Sequence, residues 1–76
     1  MQTYKACFIE ALNIGENELV GLQYQGVPAW DSVGHMALMA ALEEAFHIEL
    51  ETDDIIDFSS FEKGVEILGK YGVNLK

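Results

Sequence analysis

The chain has 76 residues, enough for one small domain, 1–76, and no more. Thirteen Asp and Glu against four Lys and Arg leave a net charge of −9, which excludes nucleic acid as a natural partner and favours proteins with basic surfaces. Half the residues are apolar, so disorder is excluded, yet a fold this small has little spare core for a deep catalytic pocket.

Residues 4–12 read as a first helix, with Tyr4, Phe8 and Leu12 at i, i+4 spacing and Cys7 and Ala11 beside them. Cys7 is the chain's one cysteine, so no intrachain disulfide and no multi-cysteine zinc site is possible; it reads as a small core residue. Asn13 and Gly15 stop this helix. Residues 15–30 hold three glycines and the only proline without a sustained period, and they read as a long ordered loop anchored by Leu19, Leu22, Tyr24, Val27 and Trp30. A second helix starts at Asp31 or Ser32 and runs to about Phe46. Thr52-Asp53-Asp54 opens a short turn of helix through Ile55 and Ile56. Ser59 and Glu62 stand at capping-box spacing before a last helix with Phe61, Val65 and Leu68 on one face; Gly64 and Gly69 weaken it and Gly72 ends it. No segment reads as a strand. The expectation is an all-α fold, a small bundle of three main helices plus one short one. No apolar run approaches the ~20 residues of a membrane span, and the N-terminal residues lack a signal-peptide pattern, so a cytoplasmic monomer is expected.

The second helix is unusual. Over residues 33–46 only His35, Glu43 and Glu44 are strongly polar. At about 100° per residue, Leu38, Met39, Leu42, Ala45 and Phe46 share one face, and Val33, Met36, Ala37 and Ala40 lie nearly opposite. A helix apolar all round is normally buried on all sides, and this chain is too short to surround one of its own helices. One face therefore packs the core and the other is available to a partner, unless both simply fill the bundle. Residues 43–57 add seven acids and no Lys or Arg. Such a run is a solvated surface or, beside an exposed apolar strip, a means of steering a basic partner.

Ser32 opens this helix behind Trp30-Asp31. A serine there is either a helix cap or a hydroxyl that bears a phosphate group, an anion that the free N–H donors of a helix start favour. Asp31, Ser32 and His35 are the residue types of a hydrolytic triad, but no G-x-S-x-G elbow accompanies them. His35 reads as a partly buried packing residue, or as a contact to such a phosphate when protonated. His35 and His47 are poorly placed as a metal pair, and Asp53, Asp54 and Asp57 lack the EF-hand pattern; no metal site is expected.

Asp31-Ser32-Val33 followed by an apolar helix ending Leu42-Glu43-Glu44-Ala45-Phe46 resembles the acyl carrier protein family. The likeness continues through Ile48-Glu49-Leu50, Asp53-Asp54-Ile55-Ile56 and residues 58–68, while the first helix and loop match in pattern only. The resemblance implies that Ser32, preceded by Asp31, is the attachment site of a 4′-phosphopantetheine arm derived from coenzyme A, whose thiol carries acyl groups as thioesters. It further implies that Val33, Met36, Ala37, Ala40, Glu43 and Glu44 form the surface recognised by a phosphopantetheinyl transferase and by acyl-transferring or synthase enzymes. Such a chain presents substrates and is not itself an enzyme. Gly34 and Ala37 stand where many members carry acidic residues, and His35 is also unusual, which leaves the partners open. General fatty-acid synthesis and a specialised lipid, polyketide or glycan-modifying pathway both remain possible. Asp-Ser-Val-Gly also resembles D-alanyl carriers, which take an aminoacyl cargo. The reading from another class is an unmodified helical interaction module in which Ser32 is only a cap.

Overall fold

The computed structural model describes residues 1–75; Lys76, the last residue of the expected domain, lies outside them. The chain forms α1 (Gln2–Leu12), a 3₁₀ turn (Glu16–Glu18), α2 (Ser32–Phe46), α3 (Thr52–Asp57) and α4 (Phe61–Gly69). This is the expected all-α bundle of three main helices and one short one. Among the described residues no helix is long and apolar enough to cross a membrane.

α1 begins two residues before Tyr4, because the Met1 carbonyl accepts the Lys5 N–H at 3.0 Å. It ends where Asn13 turns left-handed at φ 54°, a conformation that asparagine tolerates better than most residues. Its apolar stripe buries Tyr4, Cys7, Phe8 and Leu12. Phe8 is the centre of the core, with ring centroids 5.0 Å from Tyr4, 5.0 Å from Phe61, 5.5 Å from Trp30 and 6.1 Å from Phe58. Each such buried aromatic contributes on the order of 2–3 kcal/mol. Burial also holds the Tyr4 phenol neutral, well above its ordinary pKa, and its O–H donates to the Phe61 carbonyl at 2.6 Å.

The 15–30 segment is ordered, as its anchors imply. Leu19, Leu22 and Trp30 are buried, Val27 is half-buried, and Tyr24 stays at the surface. The 3₁₀ turn was not visible in the sequence pattern. The loop is tied to the start of α4 by backbone: Tyr24 N–H donates to the Ser59 carbonyl at 2.8 Å and Phe61 N–H to the Leu22 carbonyl at 2.9 Å. These bonds flank an isolated Gln23–Ser60 bridge in a chain read as having no strand.

α4 corrects two expectations. Ser60, not Ser59, is its cap: the Ser60 hydroxyl accepts the Lys63 N–H at 2.9 Å, while the backbone of Ser59 is held by Tyr24. Nor is Gly64 a weak point. It is buried, and a β-carbon there would stand 2.1 Å from Tyr4 Oη and 2.2 Å from Phe58 Cζ. The missing side chain is what lets α4 approach α1. Phe61 and Val65 pack half-buried against the core beside fully buried Leu68 and Ile67.

The acidic run of residues 43–57 is not uniformly solvated. Asp54 is buried; its carboxylate accepts from Lys70 Nζ at 2.5 Å and from Tyr71 Oη at 2.5 Å. Those two donors hold its pKa below the usual carboxylate value. Glu43 is half-buried and its carboxylate accepts the Leu50 N–H at 2.8 Å, fixing the segment between α2 and α3.

Candidate functional site

α2 separates its two faces as the periodicity requires. Leu38, Met39 and Leu42 are buried, Ala45 and Phe46 half-buried, and Val33, Met36, Ala37 and Ala40 exposed. Val33 is 79 % exposed and Met36 55 % exposed, so an apolar strip faces water beside the helix start. Burying such a strip against a partner releases free energy in proportion to its area.

At that start, the choice between Asp31 and Ser32 is resolved. Asp31 is the cap: its Oδ1 accepts the Gly34 N–H at 2.9 Å. Ser32 is therefore the first helical residue, and it is exposed. Its hydroxyl is not needed to close the helix end and projects beside the positive pole of the dipole. Tyr24 Oη approaches Ser32 Oγ at 3.5 Å, at the outer limit of a hydrogen bond. Gly34 packs beneath this corner. A β-carbon on it would meet the Ala29 carbonyl oxygen at 1.9 Å, so glycine lets the loop close onto α2.

A groove of about 410 Å³ opens beside Ser32. Ser32, His35 and Met36 of α2 line it with Ile55 and Ile56 of α3, and Tyr24, Phe58 and Ser59 join them from outside the two helices. Ile56 is 73 % exposed and extends the apolar strip of α2 across the groove. The sequence pattern drew attention to Ser32, Met36 and His35. It did not single out Tyr24, Ile55 or Phe58 as groove residues, because they come from separate segments that only the fold brings together.

His35 is the half-buried packing residue of the two readings given above. Its Nδ1 accepts from Trp30 Nε1–H at 2.9 Å and its Nε2 pairs with the Ile55 carbonyl at 2.8 Å. Trp30 Nε1 only donates and a carbonyl only accepts, so the ring is neutral with its proton on Nε2. Both nitrogens are engaged away from Ser32, and the Asp31 Oδ1 that faces the helix is held by Gly34. The three residues of the triad pattern are thus not wired as a triad.

Of the remaining residues on the expected partner surface, Glu44 is exposed, whereas Glu43 is bonded to Leu50. Glu49, Glu51, Asp53 and Asp57 are exposed around α3, so the groove and strip have an acidic rim. Cys7 is buried, its Sγ 3.8 Å from the Ala41 carbonyl, and burial raises its thiol pKa; this removes the thiolate character a reactive cysteine needs.

No family model matches the chain, and a search of curated proteins finds no match.

Proposed function

We propose that the chain is a carrier protein: Ser32 bears a 4′-phosphopantetheine arm, and acyl or aminoacyl groups ride on the arm's thiol to partner enzymes. The observation that carries this reading is that Asp31 caps α2. Ser32 is left exposed at the helix start with no capping duty.

The surroundings fit the group. The Ser32 hydroxyl is open to solvent for attachment, and the helix start favours the negative phosphodiester. The Tyr24 hydroxyl stands close enough to donate to an oxygen on Ser32 or to a phosphoryl oxygen attached there. It supplies a neutral donor in a chain with few cations. On attachment, the Ser32 Oγ–phosphorus bond forms, the pyrophosphate bond of coenzyme A breaks, adenosine bisphosphate leaves and the serine proton passes to the transferase. The thiol of the bound group then supplies the thioester chemistry. The groove walled by Met36, Ile55 and Ile56 would offer the root of the arm an apolar bed.

Val33, Met36, Ala37 and Ala40 give the transferase and the acyl-handling enzymes an apolar contact, and Glu44 with the acids around α3 attracts their basic rims. Glu43 contributes by bracing Leu50. On this reading the chain presents substrates in the cytoplasm and catalyses nothing itself.

Ser32→Ala tests the proposal. A carrier loses all loading and all thioester formation, yet still binds the transferase through the α2 strip. An interaction module keeps every activity it has, because Asp31 and not Ser32 caps the helix.

A further inference from the structure

We infer that His35 is a positioning residue that joins the two walls of the Ser32 groove. The inference rests on the carrier reading for its functional consequence and on geometry alone for its structural one. α3 has six residues, of which one, Asp54, is buried. So short a helix is not stable by itself; of its apolar side chains Ile55 packs half-buried against the core and Ile56 is exposed. Polar ties add to that packing. One runs from Asp54 to Lys70 and Tyr71, on the side of the chain terminus. A second runs from the N–H of Glu51, which precedes α3, to Tyr71 Oη at 2.9 Å, and a third is His35, which reaches from the first turn of α2 to the Ile55 carbonyl.

His35 is itself held. The Trp30 indole donates to Nδ1, and the two rings lie side by side and nearly coplanar, at 17° with centroids 6.2 Å apart. Tyr24 and Phe58 meet the imidazole edge-on at 5.5 and 6.3 Å. Because indole can only donate, it selects the tautomer whose Nε2–H points at Ile55. A buried loop anchor thereby fixes the direction in which α2 grips α3. The spacing between Met36 on α2 and Ile56 on α3 follows from that grip, and those two exposed apolar side chains are what an enzyme loading Ser32 must cover together.

The test uses the full chain in three forms: wild type, His35→Leu and His35→Gln. Leucine fills space and loses both bonds; glutamine keeps one acceptor and one donor. In the wild type, ¹⁵N NMR of the imidazole should show the neutral ring with its proton on Nε2. A ring protonated on Nδ1 overturns the inference without any variant. At a temperature where circular dichroism finds both variants folded, amide exchange in α3 should quicken about tenfold in His35→Leu. His35→Gln should recover most of the wild-type protection. In loading by a broad-specificity phosphopantetheinyl transferase with coenzyme A, His35→Leu should raise KM for the protein about fivefold with kcat unchanged, and His35→Gln should restore it. Unchanged α3 exchange in His35→Leu, or equal KM in all three proteins, overturns the role. If His35→Leu does not fold, the tautomer and the glutamine variant decide. If the wild type itself takes up no arm, the carrier reading fails, and α3 exchange still decides whether His35 positions that helix.

Discussion

Replacing Met36 by Glu should leave the fold intact and slow arm loading, whereas replacing Leu42 by Glu should unfold the chain. Met36 is 55 % exposed and Leu42 is 0 % exposed, on opposite faces of one helix. At Met36 less than half of a side chain's burial is at stake, at most about 1 kcal/mol, and glutamate is a good helix former. At Leu42 the loss of burial costs about 2–3 kcal/mol, and an unpaired carboxylate in the interior adds several kcal/mol more unless it takes up a proton. A domain of 76 residues has a total stability of roughly 4–11 kcal/mol, so the second change removes most or all of it. For loading, a charge that must lose its water inside an apolar contact costs about 1–2 kcal/mol, a slowing of roughly 5- to 30-fold. Circular dichroism and a loading time course on both variants are the assay. A Met36→Glu protein that loses its helical signal refutes the assignment of faces. One that folds and loads at the wild-type rate refutes the recognition surface.

Gly64→Ala should destabilise the domain by about 2–3 kcal/mol, because the new methyl group meets Tyr4 Oη and Phe58; urea denaturation measures it, and a change within about 0.5 kcal/mol would contradict the packing. Ser60→Ala should cost about 1 kcal/mol and Ser59→Ala very little, since only the Ser60 hydroxyl caps α4; the reverse order would contradict the cap. The lowered pKa of Asp54 means that the unfolded chain takes up its proton first as pH falls. Its contribution is thus present above the ordinary carboxylate range and is lost as pH drops through the folded value. The difference in melting temperature between wild type and Asp54→Asn should shrink from about pH 6 to about pH 2; a constant difference would contradict the tie to Lys70 and Tyr71.

Helical periodicity made the core face of α2 legible because Leu38 and Leu42 repeat on it while Met36 and Ala40 repeat on the other. The bundle followed from the same signal in residues 4–12 and 61–68. Local polar choices were half legible. Asp31 and Ser32 are both good caps, as are Ser59 and Ser60, and sequence spacing does not say which backbone turns where. A local close approach accompanies the first, where the Ala29 carbonyl closes over Gly34, and a long-range bond the second, where the Tyr24 N–H holds the Ser59 carbonyl. Asp54 looked like one acid among seven because its partners Lys70 and Tyr71 stand 16 and 17 residues away. Gly64 looked weak by propensity and is required by packing, a tertiary override of a local preference. Ser32 stood out from its place alone. The groove beside it did not, since Tyr24, Ile55 and Phe58 belong to three segments with no shared pattern.

The central claim is that Ser32 carries the arm. Incubation of the purified chain with coenzyme A and a broad-specificity phosphopantetheinyl transferase, followed by intact mass measurement and peptide mapping, tests it most directly. The account predicts a gain of one phosphopantetheine group per chain, located on Ser32 and absent from Ser32→Ala. No gain in mass, or a group mapped to Ser59 or Ser60, would contradict it.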